Sequence, residues 1–94
     1  MMTKVILKGY IIVPSEDLQA VQEELPMHIQ RTQQEEGCLV FEVHQDQENE
    51  HRFNVHEEFS TQESFSIHQD HVQNSQWGKV SAKVERHYHV NQVK

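Results

Sequence analysis

The sequence predicts an α+β fold of the ferredoxin-like kind, β-α-β-β-α-β, as a single domain over residues 1–94. Three observations predict it. Four segments alternate apolar and polar residues with the period of a half-buried strand. Two segments repeat apolar residues with the period of a helix. In chain order these read strand, long helix, strand, strand, helix, strand, the order of the split β-α-β unit, whose antiparallel sheet carries both helices on one face.

The first strand spans Lys4 to Val13. Val5, Leu7, Gly9, Ile11 and Val13 share one side, and Ile6, Lys8, Tyr10 and Ile12 the other. Apolar groups on both sides predict a strand that is central or covered on both faces. Gly9 marks a bulge or a close backbone contact. Pro14-Ser15-Glu16-Asp17 then reads as a helix start, with Ser15 as N-cap and acidic residues in the first turn. Leu18, Val21, Leu25, Ile29 and Thr32 continue at helical spacing. Pro26 predicts a kink or break, because it lacks an amide donor. Gly37 marks the exit from this helix.

Residues 35–59 form the centre of the pattern. Leu39, Phe41 and Val43 fall on one side of the second strand; Cys38, Val40, Glu42 and His44 fall on the other. After the polar connection Gln47-Glu48-Asn49-Glu50, the third strand places Phe53, Val55, Glu57 and Phe59 on its apolar side. Glu57 is the anomaly in that row, since a buried carboxylate without a partner is costly. Ser60-Thr61-Gln62-Glu63 matches a capping box, and Phe65, His68, Gln69 and Val72 follow at helical spacing. Ser75 caps a further short helix through Trp77 and Val80. A last strand from Val84 to Val90 alternates Val84, Arg86, Tyr88 and Val90 against Glu85, His87 and His89, and the final four residues read as a loose tail.

Composition narrows the partners. A formal charge of −7 with only 8 Lys and Arg leaves no basic stripe, which argues against nucleic acid and anionic membranes. No stretch approaches membrane-spanning length, and no N-terminal run has the layout of a secretion signal. One cysteine, Cys38, excludes an internal disulfide and fits a reducing, cytoplasmic setting. An apolar share of 35% is low for a globular domain, yet it is regularly patterned, so a homodimer is expected to complete the burial.

In order and spacing, several short motifs resemble the antibiotic biosynthesis monooxygenase (ABM) family. They are His28-Ile29, Glu35-Glu36-Gly37-Cys38-Leu39, Phe41-Glu42-Val43, Asp46, Phe53 with Glu57, Phe65 with His68, and Ser75-Gln76-Trp77-Gly78. The resemblance implies a dimeric α+β barrel with a pocket between helices and sheet in each subunit. It also implies oxidation of a small phenol or quinol by dioxygen, with no metal or flavin cofactor. Family relatives degrade haem, and one isomerises a phosphorylated sugar derivative. The haem degraders resemble one another in a first-strand asparagine and a tryptophan near position 68, and both are absent here.

Glu57, His68 and His28 are the candidate catalytic groups: a carboxylate that orients an imidazole makes a tunable base, and His28 lies where it can position a substrate. Trp77, Phe41, Phe53 and Phe65 are candidate walls for an aromatic ligand, with core packing as the plainer reading. Arg86 shares the register side of Glu57 and is a candidate ion-pair partner for it. Tyr88 can donate a hydrogen bond to a substrate oxygen or anchor the last strand. His44, His56, His87 and His89 share the other sheet face, but without a zinc-type spacing no metal is expected. Cys38 reads as a packing residue. The function expected is a cofactor-independent monooxygenase of a small aromatic or quinol-like substrate. The alternatives are an isomerase of a small ketone and a dimer that binds a metabolite without converting it.

Overall fold

The computed structural model describes residues 3–93. Strands β1 (Lys4–Ile12), β2 (Cys38–Gln45), β3 (Arg52–Phe59) and β4 (Glu85–Val93) form one antiparallel sheet in the order β2-β3-β1-β4. Helices α1 (Leu18–Gln33), α2 (Gln62–Gln73) and the short α3 (Gln76–Val80) supply its cover. The β-α-β-β-α-β order and the central place of the first strand agree with the sequence reading.

The alternation fixes which side is covered. Val5, Leu7 and Ile11 of β1, Phe41 and Val43 of β2, and Phe53, Val55 and Phe59 of β3 are buried, together with Val21 and Leu25 of α1 and Phe65 of α2. Glu57 pairs with Leu7 on one side and Phe41 on the other, so its side chain projects from the middle of that apolar row. Strand β4 continues the row with Val90 opposite Leu7, but Val90 is 47% exposed and the helices do not cover it.

The backbone departs from the sequence reading in several places, each for a local reason. Ser15–Asp17 is a separate 3-10 turn, and α1 starts after it without a side-chain cap. Pro26 lies inside one uninterrupted helix, on its exposed side, where water can serve the carbonyl that proline leaves unpaired. In β2 the register shifts between Cys38 and Val40. Cys38 pairs with Phe59 and Val40 with Glu58, so Leu39 is the bulged residue, 55% exposed, while Cys38 packs at the edge of the core. A single extra residue therefore reverses the faces expected for both.

The cap of α2 falls on Thr61, not Ser60. Thr61 Oγ1 accepts from the Ser64 amide at 3.0 Å, and Ser64 Oγ accepts from the Thr61 amide at 3.3 Å. Ser60 is still held by the hairpin, its amide donating to the Gly37 carbonyl at 2.8 Å. Gly37 itself has φ +87°, and a Cβ there would strike the Ser64 side chain. The last strand runs on to Val93 in register with Lys4, so residues 91–93 of the expected loose tail are paired backbone, and Lys94 lies outside the described residues.

Candidate active site

Glu35 follows α1 in a tight turn. Its amide donates to the Thr32 carbonyl at 3.0 Å, and its carbonyl accepts from the Cys38 amide at 3.1 Å. Across from it, His68 and His71 stand three residues apart on α2 and so share a helix face. The Glu35 carboxylate spans both: Oε2 lies 2.8 Å from His68 Nδ1, and Oε1 lies 2.7 Å from His71 Nδ1. Burial pulls the Glu35 carboxyl up, but the hydrogen bonds from His71 and His68 outweigh it and hold the group below the usual range. An ionised carboxylate only accepts, so both Nδ1 atoms donate. In the neutral ring of His68 this leaves Nε2 with its lone pair free.

That lone pair faces Glu57. His68 Nε2 lies 3.7 Å from Glu57 Oε1, beyond hydrogen-bonding distance, and Oε1 is buried without any hydrogen-bond partner. Burial pushes the Glu57 carboxyl up to about 7, and the negative charge of Glu35 adds to the shift. The two acids on either side of one imidazole are thus pushed in opposite directions: Glu35 below the usual range and Glu57 up to about 7. Burial also lowers the pKa of His68, with Glu35 working against that trend. Such a separation of neighbouring carboxyls is a physical mark of a proton-handling site.

The rings around His68 keep water away. Phe59 stacks on it at 5.0 Å between centroids, Phe41 meets it edge-on at 5.6 Å, and its residual exposure is 3%. His28 lies 6.1 Å away, stacked flat on Trp77 at 4.6 Å and 5°. Burial lowers the His28 pKa to about 4, with His68 adding to the effect, so at neutral pH this imidazole is uncharged. Among the described residues its ring nitrogens have no hydrogen-bond partner, and they are free for a ligand.

A cleft of about 210 Å³ opens between α1 and α2 above these groups. His28, Thr32, His68 and Trp77 form its buried floor, while Arg31 and His71 stand at its exposed rim. The α1 contribution falls at positions 24, 28, 31 and 32, one stripe of the helix, and Glu35 joins from the turn after it. Ser75 holds the Trp77 end in place by accepting from the Gly78 amide at 3.2 Å.

Of the residues singled out in the sequence, Glu57, His68 and His28 come together as described. Trp77 lines the cleft; Phe41 buttresses both imidazoles; Phe53 and Phe65 are core residues that do not reach it. Arg86 does not pair with Glu57. It lies opposite Ile11, four residues along β1 from the partner of Glu57, and its guanidinium donates to the Ser81 carbonyl and hydroxyl at 3.2 and 3.3 Å. Tyr88 is 37% exposed; burial of its hydroxyl pushes it up to about 12, and the Glu57 charge contributes. Glu35 and His71 were missed as site residues. The only signal for Glu35 was its place beside Gly37 at the helix exit, and for His71 its helical spacing from His68.

His44, His56, His87 and His89 do share the outer sheet face, where Tyr10 stacks on His87 at 4.6 Å and Arg52 lies 3.8 Å over the Tyr10 ring. Among the described residues no group of three or more His, Cys, Asp or Glu is arranged to hold a metal, and no helix is long and apolar enough to cross a membrane.

Fold and cleft together define a small α+β domain with an imidazole–carboxylate site between its helices and sheet. The profile of the antibiotic biosynthesis monooxygenase family matches residues 4–82, and the chain belongs to that family. Solved structures with the same fold include a "putative antibiotic biosynthesis monooxygenase" from Nitrosomonas europaea, 20% identical, with a TM-score of 0.73 over 97% of this chain and 86% of that one. A protein of the same description from Deinococcus radiodurans is 21% identical, with a TM-score of 0.74 over 96% of this chain and 90% of that one. MupZ from Pseudomonas fluorescens is 19% identical, with a TM-score of 0.73 over 96% of this chain and 71% of that one. No functionally curated sequence matches the chain.

Proposed function

We propose that this protein is a cofactor-independent monooxygenase that oxidises a small phenol or quinol with dioxygen in the α1–α2 cleft. The observation that carries the reading is the Glu35–His68 pair at 2.8 Å, in an aromatic enclosure next to a neutral, unbonded His28. Family membership and similarly folded monooxygenase-named proteins support it.

In this scheme the substrate hydroxyl sits between His28 and His68. His28 orients it, and His68 takes the proton at Nε2 while Glu35 holds Nδ1 and balances the imidazolium charge. Glu57, its carboxyl pushed up to about 7, puts less negative charge beside the phenolate than an ordinary glutamate would. The electron-rich phenolate then reduces dioxygen. For a simple phenol, one oxygen atom becomes the new ring carbonyl and the other leaves as water, so the substrate supplies all the electrons. A dry site favours this chemistry by limiting proton leakage from the reduced intermediate.

Two specific features favour a homodimer. Tyr88, Val90 and Val93 of β4 are exposed, and the outer sheet face carries half-buried Ile6, Tyr10, Ile12 and Val40, apolar groups that a partner subunit would cover. A soluble cytoplasmic location fits the charge and the unpaired Cys38.

Oxygen uptake with a panel of phenols and hydroquinones tests the activity. The reading predicts stoichiometric uptake and quinone formation by the wild type, reduced at least about 100-fold in His68→Ala. Turnover that continues without oxygen would favour proton-transfer isomerisation of a small ketone instead. The two carboxyls flanking His68, pushed in opposite directions, would serve that reaction equally well. Binding with no turnover under either condition would leave a metabolite-binding dimer.

A further inference from the structure

Arg31 is the cation that the cleft leaves without a partner. It lies on the lining stripe of α1, one turn beyond His28 and one turn before Glu35. The nearest acid that follows it in the chain and also lines the cleft is Glu35, in the turn after α1. Both Glu35 oxygens are already engaged, by His68 at 2.8 Å and by His71 at 2.7 Å. Among the described residues the Arg31 guanidinium makes no hydrogen bond and no ion pair. The other acid on the stripe, Glu24, lies two turns away, about 10 Å along the axis, at the far end of the cleft.

This arrangement is unusual for so acidic a chain. With a net charge of −7, the general field repels anions, and few of the 8 basic side chains are placed to offset it. The cleft therefore has two chemically distinct ends. Its floor holds neutral His28 and His68 against Trp77 and suits an aromatic ring with a hydroxyl. Its rim holds a free guanidinium, with the exposed His71 ring across from it, 63% open at the side chain.

We infer that the ligand is an aromatic hydroxy acid, whose hydroxyl meets the imidazoles on the cleft floor and whose carboxylate pairs with Arg31 at the rim. The guanidinium fork offers two parallel N–H donors, the geometry that a carboxylate accepts. Neutral phenols enter the same cleft but lack this second contact. The inference rests on the reading of the cleft as a substrate site and names the class of molecule it admits.

Binding without turnover tests it separately from the oxidation chemistry. The dissociation constants of 4-hydroxybenzoate and its neutral isostere 4-hydroxybenzamide are measured by calorimetry on the wild type and on Arg31→Gln. This exposed position tolerates the change without loss of fold. The acid is expected to bind the wild type about five-fold more tightly than the amide, the range of one partly exposed ion pair. Arg31→Gln is expected to erase that preference while leaving the amide unchanged. Equal binding of acid and amide to the wild type would overturn the inference, as would a preference that survives in Arg31→Gln, or no binding of either ring. Oxygen uptake with neutral quinols but no acid preference would sink the inference and leave the proposed oxidation standing.

Discussion

Glu57 Oε1 lies 3.7 Å from His68 Nε2, buried and with no hydrogen bond of its own. With Nδ1 donating to Glu35, Nε2 presents a lone pair, which an ionised carboxylate at that spot cannot engage. The gap leaves Nε2 and Oε1 without a hydrogen bond to each other, with Glu35 holding the far nitrogen of that ring.

The buried acid should make the fold sensitive to alkali. The Glu57 carboxyl rises from an ordinary 4.5 to about 7 in the fold, so the folded chain holds this proton more tightly than the unfolded chain does. Stability is therefore intact below pH 4.5 for this group and is lost as pH rises towards 7, by about 3 kcal/mol in all. Glu57→Gln removes the titration. Urea unfolding should show the variant gaining on the wild type by about that amount between pH 4.5 and 8, with no gain at pH 4.

His28 runs the other way, and its stacking partner reports it. Its pKa falls from 6.5 to about 4, so stability is lost as pH drops from 6.5 through 4. Trp77 is the sole tryptophan and lies 4.6 Å from the His28 ring, face to face. Its fluorescence should change with a midpoint close to 4 as the imidazolium forms over the indole, and His28→Gln should abolish that step.

Gly9 should not tolerate a side chain. A Cβ there would lie 1.9 Å from the His87 carbonyl oxygen, at φ +155°, so β4 could not keep its register with β1. Gly9→Ala is expected to cost about 3 kcal/mol in chemical denaturation. It should also broaden the amide signals of residues 85–93.

Ser75→Ala tests the support of the cleft wall. It removes the acceptor for the Gly78 amide and should cost about 1 kcal/mol globally. Because α3 carries Trp77 onto His28, ligand affinity should fall more than the global loss alone explains, as calorimetry on the folded variant would show.

Much of this was legible in the sequence because a period of two can be read directly. It fixed the sides of β1 and β3, and with them the inward direction of Glu57. Where one residue was inserted the reading failed: the bulge at Leu39 moved Cys38 to the core edge, and no spacing rule announces a bulge. Arg86 was matched to Glu57 by side but not by position, since alternation gives the face of a strand and not the distance along it. Glu35 escaped because its role depends on where a turn after α1 meets a face of α2, a tertiary fact carried by neither segment alone. The Thr61 cap was displaced by one residue because the hairpin claims the Ser60 amide, a competition between elements.

The most direct test is the titration of the Glu57 side-chain carboxyl by carbon-13 NMR on selectively labelled protein, in the wild type and in Glu35→Gln. The account predicts a wild-type midpoint near 7, falling in Glu35→Gln as the neighbouring negative charge is removed. A midpoint at the ordinary glutamate value of 4.5 would mean that Glu57 is a solvated surface acid, and the proton-handling site built on it would be contradicted.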